Sequence, residues 1–367
     1  MSPVDVEALR QRASSGDGDA QMALARVFDR EGRHDVALQW LQRAADGGHL
    51  PSLTALGARL LTGRGAPQMP SQGAQMIGLA ADEGDAQACS IVSVLAATGL
   101  TRPQSWSGAL DYLFKAGQLG DWRARQQIAI LVNDTALGSQ IMDPAEGRPW
   151  IEARAAIDIA AWLRPPQPKK VSESPRIVVF ENFLSRTVCD WLMELARPKL
   201  QEARVHNPVT GERHVDPYRS NTGMGFALLE TDVVLQLVNA RIAAASGTPV
   251  LHQEAINILH YAVGQEYKPH FDFIDPDVAH FTEVVRREGQ RIVSFLVYLN
   301  DAFEGGETEF PRIGTRYKGQ SGDAIMFVNV DGQGVIDKRT LHAGLAVTRG
   351  EKWLLSKWIR DRPRAQI

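Results

Sequence analysis

Tyr267-Lys268-Pro269-His270-Phe271-Asp272-Phe273-Ile274 is the stretch on which the reading of this chain turns. Its aromatic residues predict a strand, and successive side chains of a strand point to opposite faces. His270 and Asp272 are then expected on one face, with Phe271 and Phe273 on the other. One face is polar and the other belongs to a core. An imidazole and a carboxylate two residues apart on a strand can reach one cation, and a second imidazole is available in Leu341-His342-Ala343-Gly344. Two histidines and one carboxylate make a facial triad, which leaves three coordination positions open and suits Fe(II). A His-x-Asp triplet arises often by chance, so its surroundings have to carry the assignment.

Those surroundings read as β structure. The runs INILHYAV (256–263), RIVSFLVYLN (291–300), AIMFVNV (324–330), AGLAVT (343–348) and WLLSKWI (353–359) are short, rich in β-branched and aromatic residues, and separated by turn residues. Many short strands at such spacing predict a sandwich or jelly roll rather than an alternating βαβ sheet. Upstream, RIVVFENFLS (176–185) reads as a strand followed by a helix that starts at Ser185. The polar stretch from Gln201 to Gly223 is rich in turn residues and fits either a lid over bound substrate or a passive surface loop. Residues 164–175, RPPQPKKVSESP, hold four prolines, so neither helix nor strand is expected there. The expected organisation is a first domain over 1–163, a proline-rich linker over 164–175 and an oxygen-chemistry domain over 176–367.

The first domain carries a repeat. Ala44-Ala45-Asp46-Gly47-Gly48 answers Ala80-Ala81-Asp82-Glu83-Gly84, and Gly48, Gly84 and Gly120 are spaced by 36 residues. Small and apolar residues recur between them at helical spacing, so each unit reads as a helical hairpin and the whole as an all-α solenoid. These phrases, with the Gly63-Arg64-Gly65 turn after Leu61, resemble Sel1-like repeats, relatives of the tetratricopeptide type, over about residues 14–130. Such a surface implies a protein or peptide partner.

Composition restricts the alternatives. The 367 residues carry 40 basic and 43 acidic side chains, a net charge of -3, so no global field points to nucleic acid or an anionic membrane. Cys89 and Cys189 both lie in apolar helical patterns and read as buried thiols, which suits a reducing compartment. The polar N-terminus lacks the pattern of a secretion signal, and no apolar run is long enough to span a bilayer, so a cytoplasmic location is expected.

Three blocks, taken in order, resemble the prolyl 4-hydroxylase-like 2-oxoglutarate oxygenases across about residues 175–362. They are Tyr261 to Asp272, Tyr298 to Pro311 with its Gly305-Gly306-Glu307-Thr308, and Leu341 to Gly344 followed by Lys352-Trp353 and Lys357-Trp358. The resemblance implies a double-stranded β-helix domain that uses Fe(II), 2-oxoglutarate and O2, with ascorbate as a candidate reductant. It implies His270, Asp272 and His342 as catalytic metal ligands. Lys352, ten residues after His342, stands where the family pairs a cation with the distal carboxylate of 2-oxoglutarate, and Thr308 and Tyr261 are similar to its hydroxyl contacts. Tyr267, Arg291 and Trp358 look like the peptide-facing part of the site, although on local sequence Arg291 is equally a solvated charge and Trp358 a core filler. The reaction implied is hydroxylation of a prolyl residue with release of succinate and carbon dioxide. Alternatives are a hydroxylase of free proline or another small molecule, a zinc hydrolase, and a non-catalytic repeat adaptor.

Overall fold

The structure, a computed structural model, describes residues 3–143, 148–202, 204–206, 213–215 and 218–363. The first compact unit is built from short helices: Pro3–Ser14 (α1), Gly18–Arg30 (α2), His34–Asp46 (α3), Leu50–Thr62 (α4), Pro70–Asp82 (α5), Ala86–Thr98 (α6), Trp106–Gln118 (α7), Trp122–Val132 (α8), Thr135–Met142 (α9) and Arg148–Ala156 (α10). Helices this short are marginal alone, so they are stabilised by packing on neighbours. The hairpins are α2 on α3, α4 on α5 and α6 on α7. Gly48, Gly84 and Gly120 end α3, α5 and α7 at φ +84°, +98° and +98°, a region that side chains rarely adopt, which explains the 36-residue recurrence. Helix starts recur as well. Asp17, Asp85 and Asp121 each accept a backbone N–H at the first turn of α2, α6 and α8. From the preceding repeat, Thr54 donates to Asp85 at 3.0 Å and Ser90 donates to Asp121 at 2.6 Å.

The α4–α5 crossing depends on glycine at both contact points. A Cβ on Gly73 would lie 2.4 Å from the Gly57 carbonyl oxygen and 2.4 Å from the Leu61 amide nitrogen, both backbone atoms that cannot swing aside. Alanine gains roughly 0.5–1 kcal/mol in helix propensity, but forcing the helices apart costs about 1–3 kcal/mol. Gly73→Ala is therefore expected to destabilise the helical unit. A urea midpoint for the full chain, followed by far-ultraviolet circular dichroism, checks this, and a rise would contradict the close-packing account.

The compact units do not follow a single cut in the sequence. Residues 160–227 and 237–366 form the second unit, whereas Leu228–Gln236 groups with the first. Ile159–Leu163 (α11) begins at the boundary.

The second unit contains the strands Lys169–Ser172 (β1), Ile177–Phe180 (β2), Gln201–Glu202 (β3), Arg204–His206 (β4), Arg213–Val215 (β5), Thr222–Gly225 (β6), Asn257–Tyr261 (β7), Tyr267–His270 (β8), Arg291–Tyr298 (β9), Phe303–Gly305 (β10), Thr308–Phe310 (β11), Thr315–Tyr317 (β12), Ala324–Val328 (β13), His342–Gly344 (β14), Val347–Gly350 (β15) and Lys352–Arg360 (β16). Helices Arg186–Ala196 (α12) and Ala279–Glu288 (α14) lie in the same unit, as does Val233–Ser246 (α13) from Leu237 onward. Ser185 caps α12 by accepting from Val188, as its sequence pattern predicts. The large antiparallel sheet runs β1-β2-β13-β9-β16-β7-β6-β3, and a four-stranded sheet runs β12-β11-β14-β8. Their shared core includes Ile177, Leu296, Tyr298, Phe310, Phe327 and Leu354, drawn from both sheets, which is the jelly-roll arrangement.

Two expectations need correction. The proline-rich stretch does contain a strand: β1 occupies the proline-free Lys169–Ser172 and pairs along the outer edge of β2, where the unpaired side of the strand meets solvent. The stretch from 201 to 223 is not all loop, because β3 pairs with β6 and β4 with β5. Its residues 203, 207–212 and 216–217 lie outside the described residues, and so does the lid reading that rests on them.

Candidate active site

The metal-binding candidates converge on the smaller sheet. His270 ends β8 and His342 begins β14, and the antiparallel register sets the two directly opposite each other with ring centroids 4.2 Å apart. Asp272 lies just past the end of β8 rather than on it. Strand alternation is therefore not what holds it, and its placement comes from hydrogen bonding. Ser294 on β9 donates to Asp272 Oδ2 at 2.6 Å. Gln290 pairs with both backbone groups of Ile274, at 2.7 Å each, and so pins the segment that follows. The carboxylate then reaches both imidazoles, with Oδ1 3.7 Å from His270 Nε2 and Oδ2 3.5 Å from His342 Nε2. One ligand atom from each of the three residues falls within 4.8 Å of the others. Phe271 and Phe273 stack on each other at 4.5 Å.

The electrostatics suit a cation. His270 Nδ1 lies 2.8 Å from the Lys268 carbonyl and His342 Nδ1 lies 3.0 Å from the Thr340 carbonyl. A carbonyl only accepts, so each Nδ1 carries a proton, and in the neutral form each Nε2 presents a lone pair toward Asp272. Burial, and then the neighbouring His342, push the His270 imidazole down to about 3, so it is neutral at ordinary pH. Burial alone would raise the Asp272 carboxyl, but His342, His270 and the Ser294 hydrogen bond outweigh it and hold the group below its usual value. Two imidazoles and one carboxylate are a donor set that fits Fe(II).

Lys352 opens β16 opposite Tyr261 and is 1% exposed. Its Nζ donates to the Gly306 carbonyl at 2.7 Å and sits 5.2 Å and 5.3 Å from the rings of Tyr261 and Tyr298. Among the described residues it forms no ion pair with a carboxylate. Burial pushes the ammonium down to about 7, with Glu307 opposing that effect. A Cβ on Gly344 would come 4.0 Å from Lys352 Nζ, and Gly344 is two residues from His342 along β14, a rise of about 7 Å. Lys352 Nζ therefore lies close to β14, the strand that carries His342.

Thr308 is buried at the start of β11, with Oγ1 2.9 Å from the Tyr298 hydroxyl, while Tyr298 donates to the Tyr317 carbonyl. Tyr261 is buried and its phenol is pushed well above the usual range by that burial. The Tyr267 ring stacks on His270 at 3.4 Å. Arg291 is not a free solvated charge: it forms a two-point contact with Glu254 at 2.7 and 3.0 Å and lies 3.7 Å over the Trp358 ring. Arg360 holds the same Glu254 at 2.7 Å. Trp358 pairs with Ser294 across the sheet, and its indole N–H is buried without a partner among the described residues.

Sequence reasoning missed Ser294, Tyr298, Gln290 and Glu254. Ser294 left a signal, as the lone polar residue within the apolar run Ile292–Tyr298, a position where burial requires a partner. Outside the candidate ligands, His260 contacts Glu351 at 2.8 Å and Thr222 at 3.2 Å. The side chains of His206, His214 and His280 lie outside the described residues. Cys89 and Cys189 are free and buried as expected, and burial pushes the Cys189 thiol up to about 12.

Residues 256–360, which contain the three candidate metal ligands with Tyr261, Tyr267, Arg291, Ser294, Thr308, Lys352 and Trp358, match the family model described as the 2OG-Fe(II) oxygenase superfamily. Prolyl 4-hydroxylase 1 of Arabidopsis thaliana is 36% identical over 210 residues, spanning 53% of this chain and 72% of that protein. The chain is a member of the prolyl 4-hydroxylase family. Membership in these 2-oxoglutarate-dependent dioxygenases implies Fe(II), 2-oxoglutarate and O2. Among solved structures, the viral collagen prolyl hydroxylase of Paramecium bursaria Chlorella virus-1 is 28% identical, covering 52% of this chain and 98% of that one, with a TM-score of 0.40. A Sel1 repeat protein from Oxalobacter formigenes is 23% identical, covering 41% of this chain and 63% of that one, with a TM-score of 0.33. A helical-repeat unit thus precedes a prolyl 4-hydroxylase-type domain. No helix among the described residues is long and apolar enough to cross a membrane.

Proposed function

We propose that this prolyl 4-hydroxylase family member hydroxylates a prolyl residue within a peptide or protein, with His270, Asp272 and His342 holding Fe(II) and Lys352 holding the distal carboxylate of 2-oxoglutarate. The observation that carries the reading is Lys352: an ammonium this deeply buried, with one carbonyl for a partner, needs an anion to offset its desolvation. Bound iron would supply the oxidation of an unactivated C–H bond, coupled to conversion of 2-oxoglutarate to succinate and carbon dioxide. The chain's own residues do the positioning. Lys352 orients the oxoacid from its far end, joined by Thr308 when its hydroxyl turns from Tyr298 to the carboxylate, and the buried rings of Tyr261 and Tyr298 keep water away from that end. Tyr267 and Trp358 offer flat apolar walls suited to a pyrrolidine ring. Glu254 holds Arg291 flat against Trp358, leaving its remaining N–H groups to a substrate backbone.

For the repeat region the proposed role is to engage the protein that carries the target proline, with the domains taken as 1–163 and 176–367 and the linker between them. Ascorbate is proposed as the reductant that restores Fe(II). Two free buried thiols fit a reducing compartment, and the cytoplasm is the proposed location.

Incubating the full chain with Fe(II), 2-oxoglutarate, ascorbate and proline-containing peptides tests the proposal. Succinate should form in step with a mass gain of one oxygen on proline. Oxidation of free amino acids alone would overturn the peptide assignment, and absence of succinate with every substrate would favour the adaptor. Thr308→Val keeps the shape and removes one hydrogen bond, and it is expected to raise the KM for 2-oxoglutarate roughly 2- to 10-fold. Steady-state succinate release measures it.

A further inference from the structure

Ser294 is fully buried within β9, and its hydroxyl is the group that touches Asp272. Behind it, Asn329 Nδ2 lies 3.0 Å from Ser294 Oγ. Asn329 is itself fully buried and is fixed at both backbone groups, its N–H donating to Ile292 at 2.8 Å and its carbonyl accepting from Asp337 at 2.8 Å. The direction of each bond follows from the inventory of protons. An ionised carboxylate only accepts, so the one Ser294 proton points to Asp272, and Ser294 must accept from the Asn329 amide nitrogen. Turning that amide over would set oxygen against oxygen with no proton between them. The opposite end of the amide, Oδ1, is buried without a partner among the described residues, so the side chain gives up one hydrogen bond to keep this polarity.

We propose that Asn329 and Ser294 are positioning residues that form a one-way hydrogen-bond relay, holding the Asp272 carboxylate at the rotation in which its oxygens face the two imidazoles. This rests on the metal-site reading above. Its consequence concerns affinity: a carboxylate free to rotate must be ordered when the ion binds, and one tethered at Oδ2 is already in place.

The test is a titration of the full chain with Co(II), without 2-oxoglutarate, followed by the visible absorption of the bound ion. Ser294→Thr restores the hydroxyl and Ser294→Val has the same shape without it, so packing does not separate the pair. We expect Ser294→Thr to bind within about threefold of the wild type and Ser294→Val and Ser294→Ala to bind about 10- to 100-fold more weakly. Asn329→Ala should weaken binding in the wild-type background and add nothing in the Ser294→Ala background, because both act through one chain of bonds. Equal affinity for the Thr and Val variants overturns the relay, as do additive losses in that cycle. A wild type that binds no Co(II), or a His342→Ala variant that binds it as tightly as the wild type, instead refutes the metal site itself and the relay with it.

Discussion

Lys352→Met leaves the fold intact and weakens 2-oxoglutarate binding by about 2–5 kcal/mol, roughly 30- to 5,000-fold in affinity. Methionine keeps the aliphatic stem and removes the charge, so the loss measures the missing partner of a buried carboxylate. The wild type should also show a pH dependence that the variant lacks. In the empty pocket burial holds the ammonium at about 7. A bound dianion stabilises the charged form and raises that value. Between the two values binding takes up a proton, so affinity is highest at or below about pH 7 and falls as pH rises above it, by up to about tenfold per unit. Lys352→Arg carries a permanent charge and should bind with little pH dependence. Titration calorimetry at about pH 6.5 and about pH 8.5 reads both effects. A Met variant that binds as the wild type does would place the oxoacid elsewhere.

His342→Ala is expected to abolish turnover. The variant removes one of three donor atoms and leaves the Asp272 carboxylate buried with a single imidazole beside it. A metal contributes several kcal/mol to the reaction it promotes, so loss of the ion lowers the rate at least about a thousandfold. Stability separates this from misfolding. A ligand that binds only the native state raises the unfolding midpoint by mass action. Added Co(II) should raise the midpoint of the wild type and leave that of His342→Ala unchanged. A variant that still gains stability from the ion, and still turns over, would remove His342 from the site.

How much of this was legible depended on the range of the interaction. The 36-residue glycine recurrence could be read directly, because the positive φ at Gly48, Gly84 and Gly120 is a local requirement that a single residue type satisfies. The strand runs were legible for the same reason. His270 and His342 were visible as residue types, yet what pairs them is the β8–β14 register, a contact across 72 positions that no local pattern encodes. Asp272 was identified for the wrong reason: alternation pointed to it, and Ser294 and Gln290 are what hold it. The role proposed for Lys352 came from resemblance alone, since nothing near Gly350-Glu351-Lys352 says that the ammonium is buried. The Glu254–Arg291 pair, 37 residues apart, was invisible, and it decides that Arg291 is anchored and not free. Strand β1 was hidden because a short edge strand is defined by its partner, and its own Lys-Lys-Val-Ser reads as surface.

The capping aspartates of the solenoid bear on how such a chain can lengthen. Thr54 reaches Asp85 and Ser90 reaches Asp121, in each case 31 residues ahead, so the α6–α7 unit supplies a carboxylate backward and a hydroxyl forward. Duplicating or deleting that unit as one whole period joins a forward hydroxyl to a backward carboxylate again and leaves neither end unmatched. Any other length strands one of them and shifts the glycines out of the inter-hairpin turns. Gene-level gain and loss in this region is thereby quantised, and the array can change its reach in steps without any compensating change in the strands that surround His270 and His342.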